Sequence, residues 1–515
     1  MKKSIYFVVS LVVLSTAIYS AAPLWAAEFG QQSFRINSSP NIVGSGARAL
    51  GVGGAFIAIA DDATAASWNP AALIILKRPE AALMLSYEQR ERFGTASFAD
   101  FNYIAISYPF NFLRRNMIVS FNYQRLLDFN SDYNKHFLDD EHTIAEIVEY
   151  DAGLSPNGHY YISKNDTLRH SAINVSKEVT GDIGAIAPAY AIQITPKISF
   201  GFTLNFWMDG LVNDGYSSVY KEKQESFVRL DTYFYEDLND DGHAQDDEYL
   251  GEEPGDPDQV IEGRLTYKSD YKFSGFNANI GLLLAITRHL TVGTVYKAPF
   301  TATVDFKQRG VNSQRRFDGT EWINNRDTRK LDFRYKMSFP AVYGLGLAWR
   351  FNDNFTMALD GSYTPWEDFV IQEYVKKGKV EPTGFGTGGN LYHATSRTSG
   401  VNGLSAKYAD IDGVVTGRLG AEYLIIKPKT VIPVRMGLVY DPEPAQGHPD
   451  DFYAVTGGTG VMLFNRLLID LAYEYRWSQS ATVVTVANGA TGDLLYEVHK
   501  PVTQHIVLLS TILHF

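Results

Sequence analysis

The chain has 515 residues, no cysteine and a formal net charge of −12, and 13% of its residues are aromatic. The absence of cysteine excludes a disulfide framework, and the acidic balance argues against a nucleic-acid partner, which needs a basic face. Tyrosine and phenylalanine, with 31 residues each, are enriched in β structure. Composition therefore favours an all-β chain and leaves open whether it is soluble or embedded in a membrane.

The N-terminus has the three parts of a secretory signal. Lys2 and Lys3 precede an apolar run over residues 5–18, and small residues follow this run. The run is shorter than the roughly 20 residues that a spanning helix needs, which disfavours the alternative of an N-terminal membrane anchor. Residues 1–26 are therefore predicted to be a signal peptide, with cleavage within residues 22–27.

Residues 27–79 lie between this signal and the first predicted strand and include "GARALGVGGAFIAIADDATAASWNPAAL". The glycines lack the Gly-x-Gly-x-x-Gly spacing and the following Lys-Ser/Thr of nucleotide-binding loops. A short helix capped near Asp61 or Asp62 and a turn at Asn69-Pro70 predict a compact plug. Side chains alone can fill a barrel of about eight strands but not a much wider one, so if the strands that follow close into a wide barrel, the plug is expected in its lumen.

From residue 80 onward, apolar and polar residues alternate. In "LLIDLAYEYRW", Leu, Ile, Tyr and Trp side chains take one face, and Asp470, Glu474 and Arg476 take the other. Three further segments alternate in the same way: 117–124, 198–207 and 355–364. A soluble sandwich also alternates. Long apolar faces with aromatics near their ends, opposite charged residues at mid-strand, favour a transmembrane barrel with a polar lumen.

Fourteen strands are predicted: 80–89, 98–109, 116–127, 182–194, 197–208, 271–286, 290–307, 329–351, 355–371, 415–426, 432–441, 452–463, 466–477 and 501–515. Short connections alternate with long ones, as periplasmic turns and extracellular loops do. The prediction is therefore an all-β, antiparallel transmembrane β-barrel over residues 80–515. Its long extracellular loops include 128–181, 209–270 and 372–414, of which the first can hold further strands or helices. Residues 216–235 can extend strands above the membrane.

The last segment, "QHIVLLSTILHF", ends on an aromatic residue, Phe515. Such an end resembles the signal by which outer-membrane barrels are recognised for insertion, although an ordinary terminal strand is the alternative. With the export signal, it predicts a multi-pass barrel in the bacterial outer membrane. The expected partners are outer-membrane lipid and the barrel-assembly machinery.

A calcium-loop pattern lies within the second long connection. "DLNDDGHAQDDE" fits Asp-x-Asn-x-Asp-Gly-x5-Glu, in which oxygens at positions 1, 3, 5, 7 and 12 surround the ion. The predicted ligands are Asp237, Asn239, Asp241, the backbone carbonyl of His243, and Glu248. The alternative is a solvated acidic loop. No other cofactor is predicted.

The sequence predicts no enzyme. The eleven histidines lie mostly in loops, turns and strand ends, and none belongs to a nucleophile motif such as Gly-x-Ser-x-Gly. No His-x-x-x-His spacing suggests a zinc site.

Residues 46–73 resemble the N-terminal hatch of the FadL/TodX (OMPP1) family, the outer-membrane channels for long-chain fatty acids and aromatic hydrocarbons. The supporting stretches are "NPA" at 69–71, "SYTPWEDF" at 362–369 and "IPVRMGLVYDPEP" at 432–444. The resemblance implies passive uptake of hydrophobic small molecules, captured by extracellular loops and passed by the hatch, with lateral release between strands as one route. The implied hatch and gating residues are Gly46, Arg48, Gly53, Gly54, Asp61, Asp62, Asn69, Pro70 and Ala71, with Arg48 pairing a lumen carboxylate or one of the two aspartates.

A second hypothesis stays open at this point. Related fourteen-strand barrels that act as shuttles in type IX secretion begin with similar glycine-rich sequence. The alternative function is therefore a barrel that docks protein partners, as a secretion shuttle or a surface scaffold.

Overall fold

The computed structural model describes residues 44–515 apart from short internal stretches: 92–94, 129, 150–154, 156–157, 210–215, 240, 242, 254–258, 318–320, 375–396, 402–403, 429, 446 and 488–493. The predicted signal peptide and the first part of the predicted plug lie outside the described residues. No helix in the described part is long and apolar enough to cross a membrane.

The strands, in chain order, are β1 Glu80–Glu91, β2 Thr95–Phe112, β3 Arg115–Asp128, β4 Ser131–Glu149, β5 Tyr161–Thr180, β6 Asp182–Thr195, β7 Ile198–Asp209, β8 Tyr216–Glu236, β9 Tyr249–Glu253, β10 Gln259–Ala285, β11 Leu290–Lys297, β12 Phe300–Phe317, β13 Trp322–Phe339, β14 Val342–Arg350, β15 Phe355–Thr364, β16 Val370–Tyr374, β17 Arg397–Ser399, β18 Val414–Lys427, β19 Thr430–Tyr440, β20 Tyr453–Leu463, β21 Leu467–Ala487 and β22 Leu494–His514.

Fourteen of these strands form a closed antiparallel ring. Each pairs with the next in the order β1, β2, β3, β6, β7, β10, β11, β14, β15, β18, β19, β20, β21 and β22. The ring closes where β1 meets β22, with Glu80 opposite His514 and Glu91 opposite Thr503. The predicted fourteen-strand barrel is confirmed. A closed barrel satisfies the backbone hydrogen bonds that an open sheet would leave unpaired in lipid.

The wall has one apolar and one polar face, as the alternation predicts. On β21, Leu471 and Tyr473 point outward and are 49% and 44% exposed, whereas Asp470, Glu474 and Arg476 point inward and are buried. The charged residues of the alternating strands therefore line the lumen, and the apolar residues face lipid.

The remaining strands extend the wall beyond the membrane. They pair in the order β4, β5, β8, β10, β12, β13, β16 and β17, with β9 beside β8. β10 belongs to both the extension and the ring, because its first half pairs with β8 and β12 and its second half with β7 and β11. The predicted extension over 216–235 coincides with β8. The connections 128–181 and 209–270 hold strands, and residues 308–328, expected as a loop, are largely strand.

Three of the predicted long strands are interrupted where the barrel meets this extension. Ala298-Pro299 separates β11 from β12, Pro340-Ala341 separates β13 from β14, and Pro365 follows β15. On the first two strands the last registered pair below the break is Lys297 with Val342, and the first pair above it is Phe300 with Phe339. Proline has no N–H to donate to the neighbouring strand, which explains why pairing stops there.

Candidate functional site

Residues 44–76, here called the lumen segment, fill the interior of the ring. They form two short helices, α1 Ala47–Gly51 and α2 Ala65–Trp68, and a 3-10 helix, Pro70–Ile75. The segment bonds to side chains on strands all around the ring: Tyr103 on β2, Thr203 on β7, Asp360 on β15, Glu422 on β18, Thr456 on β20 and Ser510 on β22. These contacts place the segment inside the barrel, where the sequence predicts a plug.

Small residues let the segment lie directly against the wall backbone. Gly53 has φ +66°, and a Cβ built on it would lie 3.2 Å from the Cα of Gly437 on β19. Any larger residue would therefore be strained and would push against the wall. Gly54 lies beside the side chains of Trp68 and Arg418, and Gly46 lies beside Thr64.

The Asn69-Pro70-Ala71 turn is held by the asparagine side chain. Asn69 Nδ2 donates to the carbonyls of Ile57 (2.9 Å) and Leu282 (3.3 Å), and Asn69 Oδ1 accepts from the N–H of Ala71 (3.1 Å). One amide thus joins two parts of the lumen segment and ties both to β10. Proline fits at the first position of the following 3-10 helix, where no N–H is needed. On the wall side, a Cβ built on Gly201 would lie 2.5 Å from the nitrogen of Ala71.

Arg48 is the first cation of a chain of ion pairs that crosses from the lumen segment to the wall. It pairs with Asp61 within the segment and with Glu422 Oε1 at 2.9 Å on the wall. Glu422 also accepts from Arg435 (2.6 Å), which donates to Asp470 (2.6 Å). Buried charges stay ionised only where they are paired and hydrogen-bonded. This chain therefore fixes the orientation of α1 relative to β18, β19 and β21.

Asp62 is separate from that chain. Its side chain is buried, and Oδ1 accepts from the backbone N–H (2.8 Å) and the hydroxyl (2.5 Å) of Thr64. It therefore stabilises the turn before α2. It is not the predicted helix cap, because the N-cap residue of α2 is Thr64, whose side chain makes no capping hydrogen bond. Burial raises the pKa of Asp62 to about 6.

The most direct tie between segment and wall was missed by the sequence reasoning. Asp360 on β15 is 2% exposed, and its Oδ2 accepts from the N–H groups of Phe56 (2.6 Å) and Ile57 (2.7 Å). The available signal is a carboxylate at mid-strand on an inward face, a position that is costly without a partner. Glu422, Arg435 and Asp470 occupy positions of the same kind.

An aromatic pocket lies above the lumen segment, at the level of the interrupted strands. Its rings contact one another in series: Trp207 to Phe300 (centroids 4.4 Å apart), Phe300 to Phe339 (4.9 Å), Phe339 to Phe369 (5.1 Å) and Phe369 to Trp366 (5.6 Å). All of these rings except Phe369 line a free space of about 30 Å³, and Ser67 of the lumen segment lines it too. The rest of its lining includes polar side chains of the wall: Gln124, Asn205, Asn277, Asn279 and Lys297. That volume holds about one water molecule, so a ligand needs side chains to move.

The same pocket reaches the break in the wall. Ala298 and Pro340 line it from inside. On the lipid side of these strands lies an apolar groove of about 740 Å³, whose lining includes Tyr296, Tyr343 and Tyr363. A pocket with both aromatic and polar lining thus lies inside the wall, and an apolar groove lies outside it, near the place where the strands do not pair.

The predicted calcium ligands are only partly described. The N–H of Asp241 donates to Asp237 Oδ1 and Asn239 Oδ1 (3.0 Å each), and the N–H of His243 donates to Asp241 Oδ1 (2.8 Å). The side chain of Glu248 lies outside the described residues. Among the described side chains, no three His, Asp or Glu residues converge on a metal-binding geometry. Calcium binding stays a prediction.

Comparison with known proteins agrees with this architecture. The family described as "Outer membrane protein transport protein (OMPP1/FadL/TodX)" matches residues 177–511. No curated protein matches the chain. Among solved structures, a Pseudomonas aeruginosa FadL homologue is similar at 14% identity, covering 92% of this chain and 99% of that chain with a TM-score of 0.50, which supports the fold. The Pseudomonas putida toluene transporter TodX is similar at 13% identity, covering 92% and 99% of the two chains with a TM-score of 0.44.

Members of this family are bacterial outer-membrane β-barrels that act as transporters and not as enzymes. The predicted location and the absence of catalysis are therefore confirmed. The chain belongs to the OMPP1/FadL/TodX family of outer-membrane transport proteins.

Proposed function

We propose that this barrel is a passive channel for hydrophobic small molecules, fatty acids or hydrocarbons, which it captures in the aromatic pocket and releases sideways through the interrupted wall. The observation that carries the proposal is the position of the pocket. The pocket is lined on one side by Ser67 of the lumen segment and on another by Ala298 and Pro340 at the wall break. An apolar solute held there is next to lipid and is separated from the periplasm by the lumen segment.

Capture is driven by removal of apolar surface from water. Each Å² buried contributes about 25 cal/mol, so a ligand that buries 300 Å² gains roughly 7 kcal/mol before the entropy cost of binding. The free space in the pocket is about 30 Å³, and the rings of Trp366 and Phe369 lie at the short 3-10 turn between β15 and β16. This turn is short and lies beside an unpaired stretch of wall, and we expect it to move when ligand enters.

Release through the wall requires little disruption of backbone pairing. Between the pair Lys297–Val342 and the pair Phe300–Phe339, two residues on each strand lie outside the registered ladder. The prolines at 299 and 340 cannot donate, so separating the strands there breaks fewer hydrogen bonds than elsewhere in the ring. The groove outside is lined by tyrosines and aliphatic side chains and suits a solute passing into lipid.

In this proposal the lumen segment is the hatch, and it closes the axial route. Its buried ion pairs, the bonds to Asp360 and the close packing on wall glycines hold it in place. An axial path is the alternative exit, because a cavity of about 630 Å³ opens at the periplasmic end beside Ile74, Leu76 and Lys77. The experiment must therefore distinguish the two routes.

The chain has no cysteine, which allows a clean cross-linking test. Thr301→Cys and Ser338→Cys place a thiol pair at a registered position just above the break, where the two native side-chain oxygens lie 3.2 Å apart and opposite Cβ atoms of paired strands suit a disulfide. Leu359→Cys and Leu419→Cys, a registered pair on the lipid face of β15 and β18, serve as the control. Binding and uptake are measured with a panel of long-chain fatty acids and aromatic hydrocarbons.

We expect oxidation of the 301–338 pair to lower uptake at least tenfold, reduction to restore it, and binding affinity to change little. The control pair should have no effect. Unchanged uptake through a wall cross-linked at this position would show that release is axial. If no member of the panel binds and a stable protein partner copurifies instead, the transport proposal fails and the barrel functions in docking protein partners.

A further inference from the structure

The outer face of the extracellular extension is strongly basic. On β10 the even-numbered residues point outward: Phe276 and Ile280 are exposed on the lipid-facing part, and Lys268 and Lys272 are exposed on the part above it. The basic side chains therefore continue the lipid-facing surface of the same strand upward. The opposite face of this part of β10 is buried and apolar, including Tyr267.

Cations lie directly side by side across neighbouring strands. Lys268 on β10 is opposite Arg309 on β12, and Arg309 is opposite Lys330 on β13. All three are exposed. Like charges in direct cross-strand register destabilise a sheet, so this row imposes a cost that a bound anion would offset.

A second row repeats the arrangement further out. On one side, Arg264 of β10 is opposite Lys223 of β8. On the other side it is opposite Ser313 of β12, and Ser313 is in turn opposite Arg326 of β13. Carboxylates on this face pair locally: Lys268 Nζ lies 3.7 Å from Asp270, Lys223 contacts Glu225, and Arg315 pairs with Glu262 at 2.6 Å. In each of the two rows, none of the residues directly opposite a cation on a neighbouring strand is a carboxylate.

The height of these rows fits one occupant. At about 3.4 Å per residue, Lys268 is about 27 Å along the strand from Phe276 and Arg264 about 41 Å. With a strand tilt of about 40°, the rows stand roughly 20 and 30 Å above the last exposed apolar residue of β10. That is the layer of sugars and phosphates of the glycolipid in the outer leaflet.

We infer that the face formed by Lys223, Arg264, Lys268, Arg309, Arg326 and Lys330, here called the basic face, binds the anionic groups of lipopolysaccharide in the surrounding outer leaflet. The partner is a phosphorylated glycolipid anchored in the same membrane, recognised by charge and by its position beside the wall. The chain as a whole has a formal charge of −12, so a cationic face here is a local feature. The inference does not depend on which solute the channel carries.

The test uses the full chain in detergent micelles or nanodiscs and purified lipopolysaccharide as the probe. The variant Lys268→Gln/Arg309→Gln/Lys330→Gln removes the lower row. The matched control Arg114→Gln/Lys197→Gln/Arg288→Gln removes the same charge from exposed residues in turns at the opposite end of the barrel. Dephosphorylated lipopolysaccharide and a series of salt concentrations complete the set.

We expect the lower-row variant to bind lipopolysaccharide roughly 100-fold more weakly, because each basic residue near an anionic membrane surface contributes a factor of about 5. Binding by the control should stay within twofold, and salt or dephosphorylation should weaken binding by the unmodified chain. The melting temperature of the lower-row variant without glycolipid should equal or exceed that of the unmodified chain, since repulsion is removed. Equal binding by variant and control, or equal binding of dephosphorylated glycolipid, would overturn the inference.

Discussion

Asp360 holds the lumen segment through two backbone hydrogen bonds, and its replacement gives the sharpest test of how the segment is retained. Asp360→Ala removes both bonds and leaves the buried N–H groups of Phe56 and Ile57 without an acceptor. A buried donor that loses its acceptor costs about 1.5 kcal/mol, toward the low end of the range for such groups, so loss of both bonds destabilises the segment by about 3 kcal/mol. Hydrogen exchange at these two amides should become roughly 150-fold faster.

Exchange is measured by mass spectrometry or NMR on the barrel in micelles. Asp360→Asn keeps an oxygen acceptor without the charge and should give a smaller loss of protection. Ser362→Ala, two residues along the same strand, alters a side chain that bonds Thr416 and should leave exchange at Phe56 and Ile57 unchanged. The reasoning is refuted if Asp360→Ala speeds exchange less than threefold, or if Ser362→Ala has the same effect.

Three further predictions concern the segment and its surroundings. The pKa of Asp62, raised to about 6 in the folded segment, lies above its value in a released chain, so the stability it contributes is present below pH 4 and is lost as pH rises through 6. Protection of α2, corrected for intrinsic exchange, should fall by about 3 kcal/mol across that window, and Asp62→Asn should remove the dependence; a flat profile in the unmodified chain contradicts this. Gly281→Ala places a methyl group against Asn69 Oδ1 and should expose the lumen segment to protease, whereas Gly417→Ala, which has open space around its Cβ, should not; equal resistance of both variants argues against close packing. Calcium should bind the 237–248 loop with a Kd of about 10⁻⁴–10⁻³ M, and Asp241→Ala should weaken this binding, as measured by calorimetry. If 10 mM calcium, roughly ten times the upper Kd, gives no heat of binding, the segment is a solvated acidic loop.

The barrel was predictable because lipid and lumen impose opposite polarity on successive residues. All fourteen predicted segments overlap strands of the ring, and the charged residues noted at mid-strand, such as Asp470, lie in the lumen. The extracellular strands were harder to predict, because β4, β5 and β8 are polar on one face and do not border lipid. Without that constraint their alternation is weaker and resembles that of a loop.

The sequence contains a signal for the wall break, although the predicted strands 290–307 and 329–351 run through it. Below Ala298-Pro299 the inward residues are odd-numbered, as in Val295, and above it they are even-numbered, as in Phe300. The pattern shifts phase again at Pro340-Ala341, between Phe339 and Ala348. A shift by one residue exchanges the faces of a strand, so a phase change at a proline marks an interruption. For long-range pairs the local sequence gives less: the inward carboxylate of Asp360 indicates that a partner is needed, but not that the partner is the amide of Phe56.

The chain order of the lumen segment and its binding surface has a consequence for biogenesis. Residues 44–76 emerge from the ribosome before any strand. Yet the N–H of Ala47 donates to Ser510, and the carbonyl of Gly51 accepts from Thr456, and both partners are synthesised near the end of the chain. The segment therefore cannot adopt its final position until the terminal strands arrive. Complete docking of the segment therefore requires the terminal strands, and a chain that ends before β20 would lack its partners Thr456 and Ser510.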